Sequence, residues 1–152
     1  MSVTGSSKPL IIVSWVLQIA VAGILAMAAF AKLSGDPGSV AMFEFLGAPW
    51  GRLVVGAGEA LAVVLLLVPR ATLFGAMLSS VLMIGAVGAH LTKLGISLDP
   101  ATIAGDNPAA LESLSGMEGP TMFIMAVGAL AASIGIIVLR LFIRGGVRPE
   151  AG

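Results

Sequence analysis

Residues 51–69, GRLVVGAGEALAVVLLLVP, are apolar or small except for Arg52 and Glu59. About 20 such residues in a helix span the hydrocarbon core of a bilayer, at 1.5 Å of rise per residue. Glu59 falls near the middle of the stretch, where an ionised carboxylate costs about 2.5–3.5 kcal/mol on insertion scales. The stretch therefore predicts a membrane helix, and Glu59 marks the position in it that needs a functional or structural explanation.

The composition of the whole chain agrees with a membrane protein. The 152 residues are 58% hydrophobic and only 11% charged, whereas about 25% of the residues of a soluble domain are charged. The net charge is zero, which does not favour nucleic acid as a partner. The chain has no cysteine, so disulfides, thiolate metal sites and thiol–disulfide catalysis are excluded. One membrane domain is expected.

Three further apolar runs accompany the first. The predicted spans are residues 10–33, 51–69, 71–94 and 121–143. We therefore expect an all-α, integral membrane four-helix bundle over residues 10–143, with polar tails at 1–9 and 144–152. A cleavable signal peptide is the alternative for the first run, since Ala26-Met27-Ala28 resembles a cleavage site. The run is longer than the 7–15 apolar residues of a signal peptide, which favours a retained helix.

Four spans place both termini on one side of the membrane. That side collects five basic residues: Lys8, Arg70, Arg140, Arg144 and Arg148. The other side has three, Lys32, Arg52 and Lys93. Because positive charge favours the cytoplasmic side, the sequence predicts cytoplasmic termini in the cell membrane.

The connections also carry signals. The break at Val68-Pro69-Arg70 is short, which predicts an antiparallel hairpin of the second and third spans. Asp99-Pro100 and Asn107-Pro108 each resemble an N-cap followed by proline at the first helical position, so two short helices are expected, the second over residues 108–114.

The connection between the first two spans leaves two interpretations open. Val40, Phe43 and Leu46 recur at three-residue spacing, which fits a short helix lying at the membrane interface with Trp50 at headgroup level. An irregular loop is the alternative.

Small residues spaced four apart occur in the second and third spans and allow helices to approach closely. The pairs are Gly56/Ala60, Gly75/Ser79 and Gly85/Ala89.

Ionisable residues of three consecutive spans fall in the same half of the bundle. Glu59 is about 12 Å below the outer boundary and His90 about 6 Å below it, at 1.5 Å per residue. Lys32 lies near the outer end of the first span. The hypothesis is a polar pocket that opens toward the outer leaflet, with Glu59 as acceptor or proton carrier, Lys32 as its counter-charge and His90 at the rim. Gln18, in the inner half, is expected to bond a neighbouring helix.

Each of these residues also has a structural interpretation. Lys32 could extend its ammonium to the lipid headgroups. His90 could be an interfacial histidine with a water or backbone partner. Glu59 could form a purely structural bond with Lys32 or a serine, although acids within the membrane are functional by default.

A pocket with polar groups at one end and apolar helices around it suits a carbonyl-bearing amphiphile such as a quinone. Glu59 and His90 could exchange protons with it. A single histidine excludes bis-histidine haem ligation within one chain, and no metal site is predicted because the outer acids are dispersed.

An ordered set of short motifs resembles the DoxX family of small four-helix membrane proteins. The set comprises Phe30-Ala31-Lys32-Leu33, then Leu46-Gly47-Ala48-Pro49, Gly56-x-Gly58-Glu59-Ala60-Leu61, the turn Pro69-Arg70 and a third helix that ends at His90. The resemblance covers residues 10–95. It implies a four-helix membrane bundle, with Lys32, Glu59 and His90 as the pocket residues by analogy. Relatives are linked to a thiosulfate:quinone oxidoreductase or to oxidative-stress complexes of the membrane.

Two functions of different classes follow. The first is a redox-associated membrane subunit that binds quinone near Glu59 and works with other membrane or redox subunits. The second is a non-catalytic assembly or anchoring subunit whose helices and acidic outer loop dock other proteins. An oligomeric permease is the least favoured, because the polar lining is sparse. The sequence does not determine whether the chain is an enzyme, and a homo-oligomer is possible.

Overall fold

The computed structural model describes the backbone of residues 7–145 and the side chains of residues 8–143. The helices in chain order are α1 (Ser7–Ser34), α2 (Pro37–Phe45), α3 (Gly51–Leu67), α4 (Thr72–Ala89), α5 (Pro100–Ala104), α6 (Pro108–Leu114) and α7 (Thr121–Gly145). A π-helical turn, His90–Leu94, continues α4. Over the described residues the protein is all-α, as predicted, and its β pairing is a single bridge between Leu98 and Gly119.

The four long helices form a bundle with α1 and α4 at opposite corners. α1 packs against α3 and α7, and α4 packs against the same two helices. Ser79 meets Ser133 and His90 meets Phe123, so α4 and α7 are antiparallel. Because Gln18 contacts the start of α4 at Thr72 and Lys32 lies at the level of Glu59, beside the later part of α4, α1 runs in the same direction as α4. Residues 7 and 145 therefore lie at the same end of the bundle. The core contains mostly aliphatic and small side chains: Val21, Ala22, Leu25, Ala62, Leu66, Ala76, Met83, Ala126, Ala129 and Ile136.

The outward faces of the bundle are also apolar. Met27 is 76% exposed, Phe30 74% and Phe142 71%. Side chains of this type on the outside of a helical bundle are stable against lipid tails and costly against water. Among the described residues, three helices are long and apolar enough to cross a membrane, over Lys8–Ser34, Thr72–Leu94 and Thr121–Ile143.

α3 is shorter than these three helices. It has 17 residues, which is about 25 Å at 1.5 Å per residue and slightly less than a hydrocarbon core. It lies between α1 and α4 and shares their core. Its crossing as a fourth span, and the cytoplasmic position of the termini, stay predictions.

The hairpin of α3 and α4 depends on one glycine. A Cβ at Gly75 would lie 2.5 Å from the backbone nitrogen of Leu66, so only glycine permits this approach. Gly56 makes a similar contact with α1, where a Cβ would lie 2.9 Å from Lys32 Cβ. Gly85 has nothing within 4 Å of its Cβ position. Two of the three predicted small-residue pairs therefore contain the glycine of a close helix contact, and the Gly85/Ala89 pair does not.

The short helices α2, α5 and α6 form a cap over one end of the bundle, with a core of its own. Its buried residues are Ala41, Leu94, Leu98, Ile103, Ala104, Ala110 and Leu114. Asp99 and Asn107 accept hydrogen bonds from the first turns of α5 and α6, and each is followed by proline. Both short helices were predicted from these motifs, and both are confirmed, with α6 over the predicted residues.

The segment between the first two long helices is a helix, which decides between the two interpretations of the sequence. However, the most buried residues of α2 are Gly38 and Ala41, not the predicted stripe, whose residues are half-buried. The reason is contact with α6: a Cβ at Gly38 would lie 2.6 Å from Ser113 Oγ. Ser113 Oγ also donates to the Asp36 carboxylate at 2.8 Å. α2 therefore packs on protein.

The polar tails differ from expectation at their inner edges. Residues 7–9 belong to α1, and Arg144 and Gly145 continue α7. The rest of the predicted tails, residues 1–6 and 146–152, lies outside the described residues.

Candidate functional site

The structure brings Lys32 and Glu59 together. Lys32 Nζ lies 2.9 Å from Glu59 Oε1, in an ion pair between the last turns of α1 and the middle of α3. Lys32 Nζ also donates to the carbonyl oxygen of Ala28 at 3.4 Å. This is the only ion pair among the described side chains. The predicted counter-charge of Glu59 is therefore in place.

Helix geometry explains why the pair forms. Gly56 lies one turn before Glu59 on the same face of α3. Because Gly56 has no side chain, the backbone of α3 approaches Lys32 and Leu33 closely. Lys32 also stands in the last turn of α1, where the helix dipole favours a positive charge.

The pair is deeply buried on the carboxylate side. The side chain of Glu59 is 3% exposed and that of Lys32 is 17% exposed. Glu59 Oε2 is buried and has no hydrogen-bond partner among the described residues. A buried acceptor without a partner costs about 1–3 kcal/mol, and more when it is charged. The site therefore has one satisfied carboxylate oxygen and one that is available to a ligand.

His90 lies apart from this pair. Gly58 packs against Leu82, so Glu59 is beside Leu82 on the antiparallel α4. His90 follows Leu82 by about 12 Å of helix rise, at 1.5 Å per residue. No described hydrogen bond or ion pair joins His90 to Glu59. The sequence placed both in the same half of the bundle, and the structure separates them along its axis.

The contacts of His90 are those of a buried structural histidine. It is 5% exposed, its Nδ1 lies 2.9 Å from the carbonyl oxygen of Gly95, and its ring meets Phe123 edge to face at 5.8 Å. Because a carbonyl oxygen can only accept, Nδ1 donates the hydrogen of this bond. The backbone partner that the sequence left open is therefore present, at the π-helical turn where the bundle meets the cap.

A second buried polar cluster lies at the opposite end of the bundle. Gln18 is fully buried, and its Nε2 donates to the carbonyl oxygen and the hydroxyl of Ser14 at 2.8 and 2.7 Å. Its Oε1 accepts from Thr72 Oγ1 at 3.4 Å and from Arg140 Nη2 at 3.2 Å. Gln18 thus joins α1 to α4 and α7, which confirms its predicted bond to a neighbouring helix.

Serines connect α4 and α7 between the two clusters. The hydroxyls of Ser79 and Ser133 lie 2.8 Å apart, and both residues are fully buried. Ser133 also donates to the carbonyl oxygen of Ala129 at 2.7 Å. The pair satisfies two hydroxyls that would otherwise stand in an apolar core, so it stabilises the contact of the helices.

Several of these buried polar groups are not predicted from the sequence. The sequence analysis counts Arg140 among the basic residues on one side of the membrane, and the structure shows that it reaches inward to Gln18. Ser133 was not singled out, although a lone serine in an apolar helix is a signal for an interhelical bond. Arg52 is counted on the other side of the membrane, and its Nη1 is buried and has no partner within the described part of the chain.

The acids of the cap are exposed and dispersed. Asp99, Asp106, Glu112 and Glu118 all face outward. The pKa of Asp99 is lowered, first by the hydrogen bond from the Thr102 hydroxyl and then by that from the Ala101 backbone N–H. No group of three His, Asp or Glu side chains in residues 7–145 is arranged to hold a metal ion.

Comparison with known families agrees with this architecture. A family model described as the DoxX-like family matches residues 16–104. The match covers more than half of the chain and includes Lys32, Glu59 and His90, so the chain belongs to the DoxX-like family. Neither the curated proteins nor the solved structures that were compared with the chain gave a match.

Proposed function

We propose that this membrane protein binds a quinone at the Lys32–Glu59 pair and serves as an accessory subunit of a redox complex. The observation that carries the proposal is the buried Oε2 of Glu59, which has no partner among the described residues while Oε1 is held by Lys32. A charged pair in a membrane protein is costly, and an incompletely bonded one is costlier. A ligand with a small polar head group removes that cost.

The surroundings suit an amphiphile. Lys32 is the partly exposed member of the pair, so a head group reaches Glu59 from its side. Leu33 follows Lys32, lies against Gly56 and is 47% exposed, so it offers an apolar surface for an isoprenoid tail. Lys32 would donate to an oxygen of the ring in either redox form, and Glu59 would accept a hydrogen bond or a proton from the ring hydroxyl of the quinol form.

A partner is part of the proposal. The chain has one histidine and no cysteine, so it carries no thiol pair and no bis-histidine haem site. Electrons for or from the quinone would therefore pass through another subunit. We place the complex in the cell membrane, with the Lys32–Glu59 pair nearer the outer leaflet.

A second candidate function is assembly without catalysis. Its support comes from the cap, where Leu111 is 43% exposed and Met117 is 41% exposed. Each of them is followed in the chain by an exposed acid, Glu112 and Glu118 respectively. Exposed apolar side chains beside charges are typical of protein contact surfaces. In this case the ion pair of Glu59 and Lys32 would only stabilise the contact between α1 and α3 and would bind no ligand.

Native-membrane extraction distinguishes the two functions. The protein is extracted gently from its own membrane, and quinone per chain and co-purifying chains are quantified by mass spectrometry. We expect about one quinone per chain in the wild type, its loss in Glu59→Leu, and its retention in Glu112→Leu, which makes the same change at an exposed position. Partner chains without quinone in the wild type would contradict quinone binding and support assembly.

A further inference from the structure

Lys32 and Glu59 each have a hydrogen-bonding group that is available to a ligand, a donor on Lys32 and an acceptor on Glu59. A lysine ammonium has three donors. Two of them are directed to Glu59 Oε1 at 2.9 Å and to the carbonyl oxygen of Ala28 at 3.4 Å. Glu59 Oε2 is a buried acceptor with no partner in the part of the chain that the structure describes. The site therefore offers a ligand one remaining donor and one unpaired acceptor, side by side.

The two redox forms of a quinone match this pair differently. A quinone carbonyl oxygen only accepts, so it can use the remaining donor of Lys32 but leaves Glu59 Oε2 without a partner. A quinol hydroxyl both donates and accepts. It can donate to Oε2 and accept from Nζ at the same time, which satisfies both groups.

We propose that the Lys32–Glu59 site selects the hydroxyl-bearing, reduced form of its ligand over the carbonyl-bearing, oxidised form. This inference rests on the proposed function and adds to it the form of the ligand that is bound. Glu59 determines the selectivity because its side chain is nearly fully buried. When a quinone is bound, water cannot readily supply to Oε2 the hydrogen bond that a quinol hydroxyl would donate.

The size of the preference follows from one hydrogen bond to a charged, buried acceptor. Sites built to bond a hydroxyl reject an analogue that lacks it. We expect the quinol to bind at least about tenfold more tightly than the quinone. A tenfold preference raises the midpoint potential of the bound couple by about 30 mV relative to the free couple, since two electrons are transferred.

The test is equilibrium binding to the full chain in lipid nanodiscs under anaerobic conditions. The probes are decylubiquinone, decylubiquinol and the dimethyl ether of decylubiquinol, which keeps the shape of the quinol but has no hydroxyl donor. The quinol should bind most tightly, and methylation should remove its advantage. This comparison uses only the wild-type protein.

The Glu59→Gln variant should reverse the preference. When Lys32 donates to the amide oxygen, the amide N–H₂ takes the place of Oε2 and presents a donor. A carbonyl then fits better than a hydroxyl, so the quinone should bind at least as tightly as the quinol. Glu112→Gln, on the exposed face of α6, is the matched control and should keep the wild-type preference.

The outcomes separate the inference from the proposed function. Quinone binding as tight as quinol binding in the wild type, or an equal affinity for the dimethyl ether, overturns the inference and leaves quinone binding in place. A preference for quinol that persists in a folded Glu59→Gln variant overturns it as well. No binding of either form to the wild type overturns both.

Discussion

The ammonium of Lys32 and the carboxylate of Glu59 meet at 2.9 Å although they lie on different helices and 27 residues apart. Their contact is made on one carboxylate oxygen only, and the other oxygen is buried and has no partner within the described residues. Gly56 brings the two helices together at this point. The pair therefore stabilises the contact between α1 and α3, and it also leaves one carboxylate oxygen available to a ligand.

Removing Lys32 should destabilise the bundle more than removing both charges. In Lys32→Met the Glu59 carboxylate is left buried and unpaired, which costs about 3–5 kcal/mol in the free energy of unfolding. The double variant Lys32→Met/Glu59→Leu should recover much of that loss. Chemical unfolding in detergent micelles measures both.

The exposed lysine of the cap provides the control for this experiment. Lys93 donates to the carbonyl oxygen of Leu46 at 3.0 Å in an exposed position. Lys93→Met should change the free energy of unfolding by less than about 1.5 kcal/mol. If Lys32→Met proved as stable as Lys93→Met, the Lys32–Glu59 contact would not exist in the membrane.

Gly56→Ala should separate α1 from α3. The added Cβ would lie 2.9 Å from Lys32 Cβ, so the helices must shift, at a cost of about 1–3 kcal/mol. Because the same shift moves Lys32, bound quinone should also decrease. Gly85→Ala makes the same change where nothing lies within 4 Å, and there the higher helix propensity of alanine should stabilise by up to about 1 kcal/mol. Equal effects of the two substitutions on thermal stability would show that α1 and α3 are not in close contact.

Gln18→Leu should weaken the opposite end of the bundle without affecting the ligand. The leucine fills the space but removes the oxygen that accepts from Thr72 and Arg140, so we expect a loss of about 1–3 kcal/mol. The double variant Ser79→Ala/Ser133→Ala removes both partners of a bond and should be nearly neutral. Thermal unfolding and quinone content are the two measurements. A large loss of quinone in a folded Gln18→Leu variant would contradict a site confined to Lys32 and Glu59.

The stability of the cap should depend on pH through Asp99. Its pKa is lowered in the folded state by the Thr102 hydroxyl and the Ala101 N–H. A carboxylate with a lowered pKa stabilises the folded state above its pKa in the unfolded chain, and the contribution is lost as pH falls through the lower, folded pKa. The protection factors of the α5 amides, which are corrected for the pH dependence of intrinsic hydrogen exchange, should therefore decrease on acidification in that range. Asp99→Asn keeps an N-cap acceptor that does not ionise, so its exchange should lack this additional acid dependence, and a dependence equal to that of the wild type would assign the effect to another group.

The sequence predicts the elements of this protein well because their signals are local. Long apolar runs define the long helices, and the Asp-Pro and Asn-Pro pairs define α5 and α6. Depth along the helices also predicts that Lys32 and Glu59 lie in the same half of the bundle. It does not predict that Gly56 faces Lys32, because rotation about the helix axes is fixed only by packing.

Contacts between distant parts of the chain were the least predictable. Arg140 bonds Gln18 over 122 residues, and Ser113 bonds Asp36 over 77. Neither partner carries a pattern that specifies the other. The sequence places His90 and Glu59 in one pocket because their depths are counted from the predicted boundary of the bilayer, which is only approximate. The packing of α3 on α4 determines how far apart the two residues lie along the bundle.

Infrared difference spectroscopy of the nanodisc-embedded protein shows whether Oε2 of Glu59 contacts the ligand. Spectra recorded with and without decylubiquinol should contain a shift in the carboxylate stretching bands, because a new hydrogen bond to Oε2 changes the two carbon–oxygen bonds of the group. The shift should be absent in Glu59→Gln and present in Glu112→Gln. If quinol binding caused the same change in the carboxylate bands of the wild type and of Glu59→Gln, Oε2 of Glu59 would not be the group that contacts the ligand.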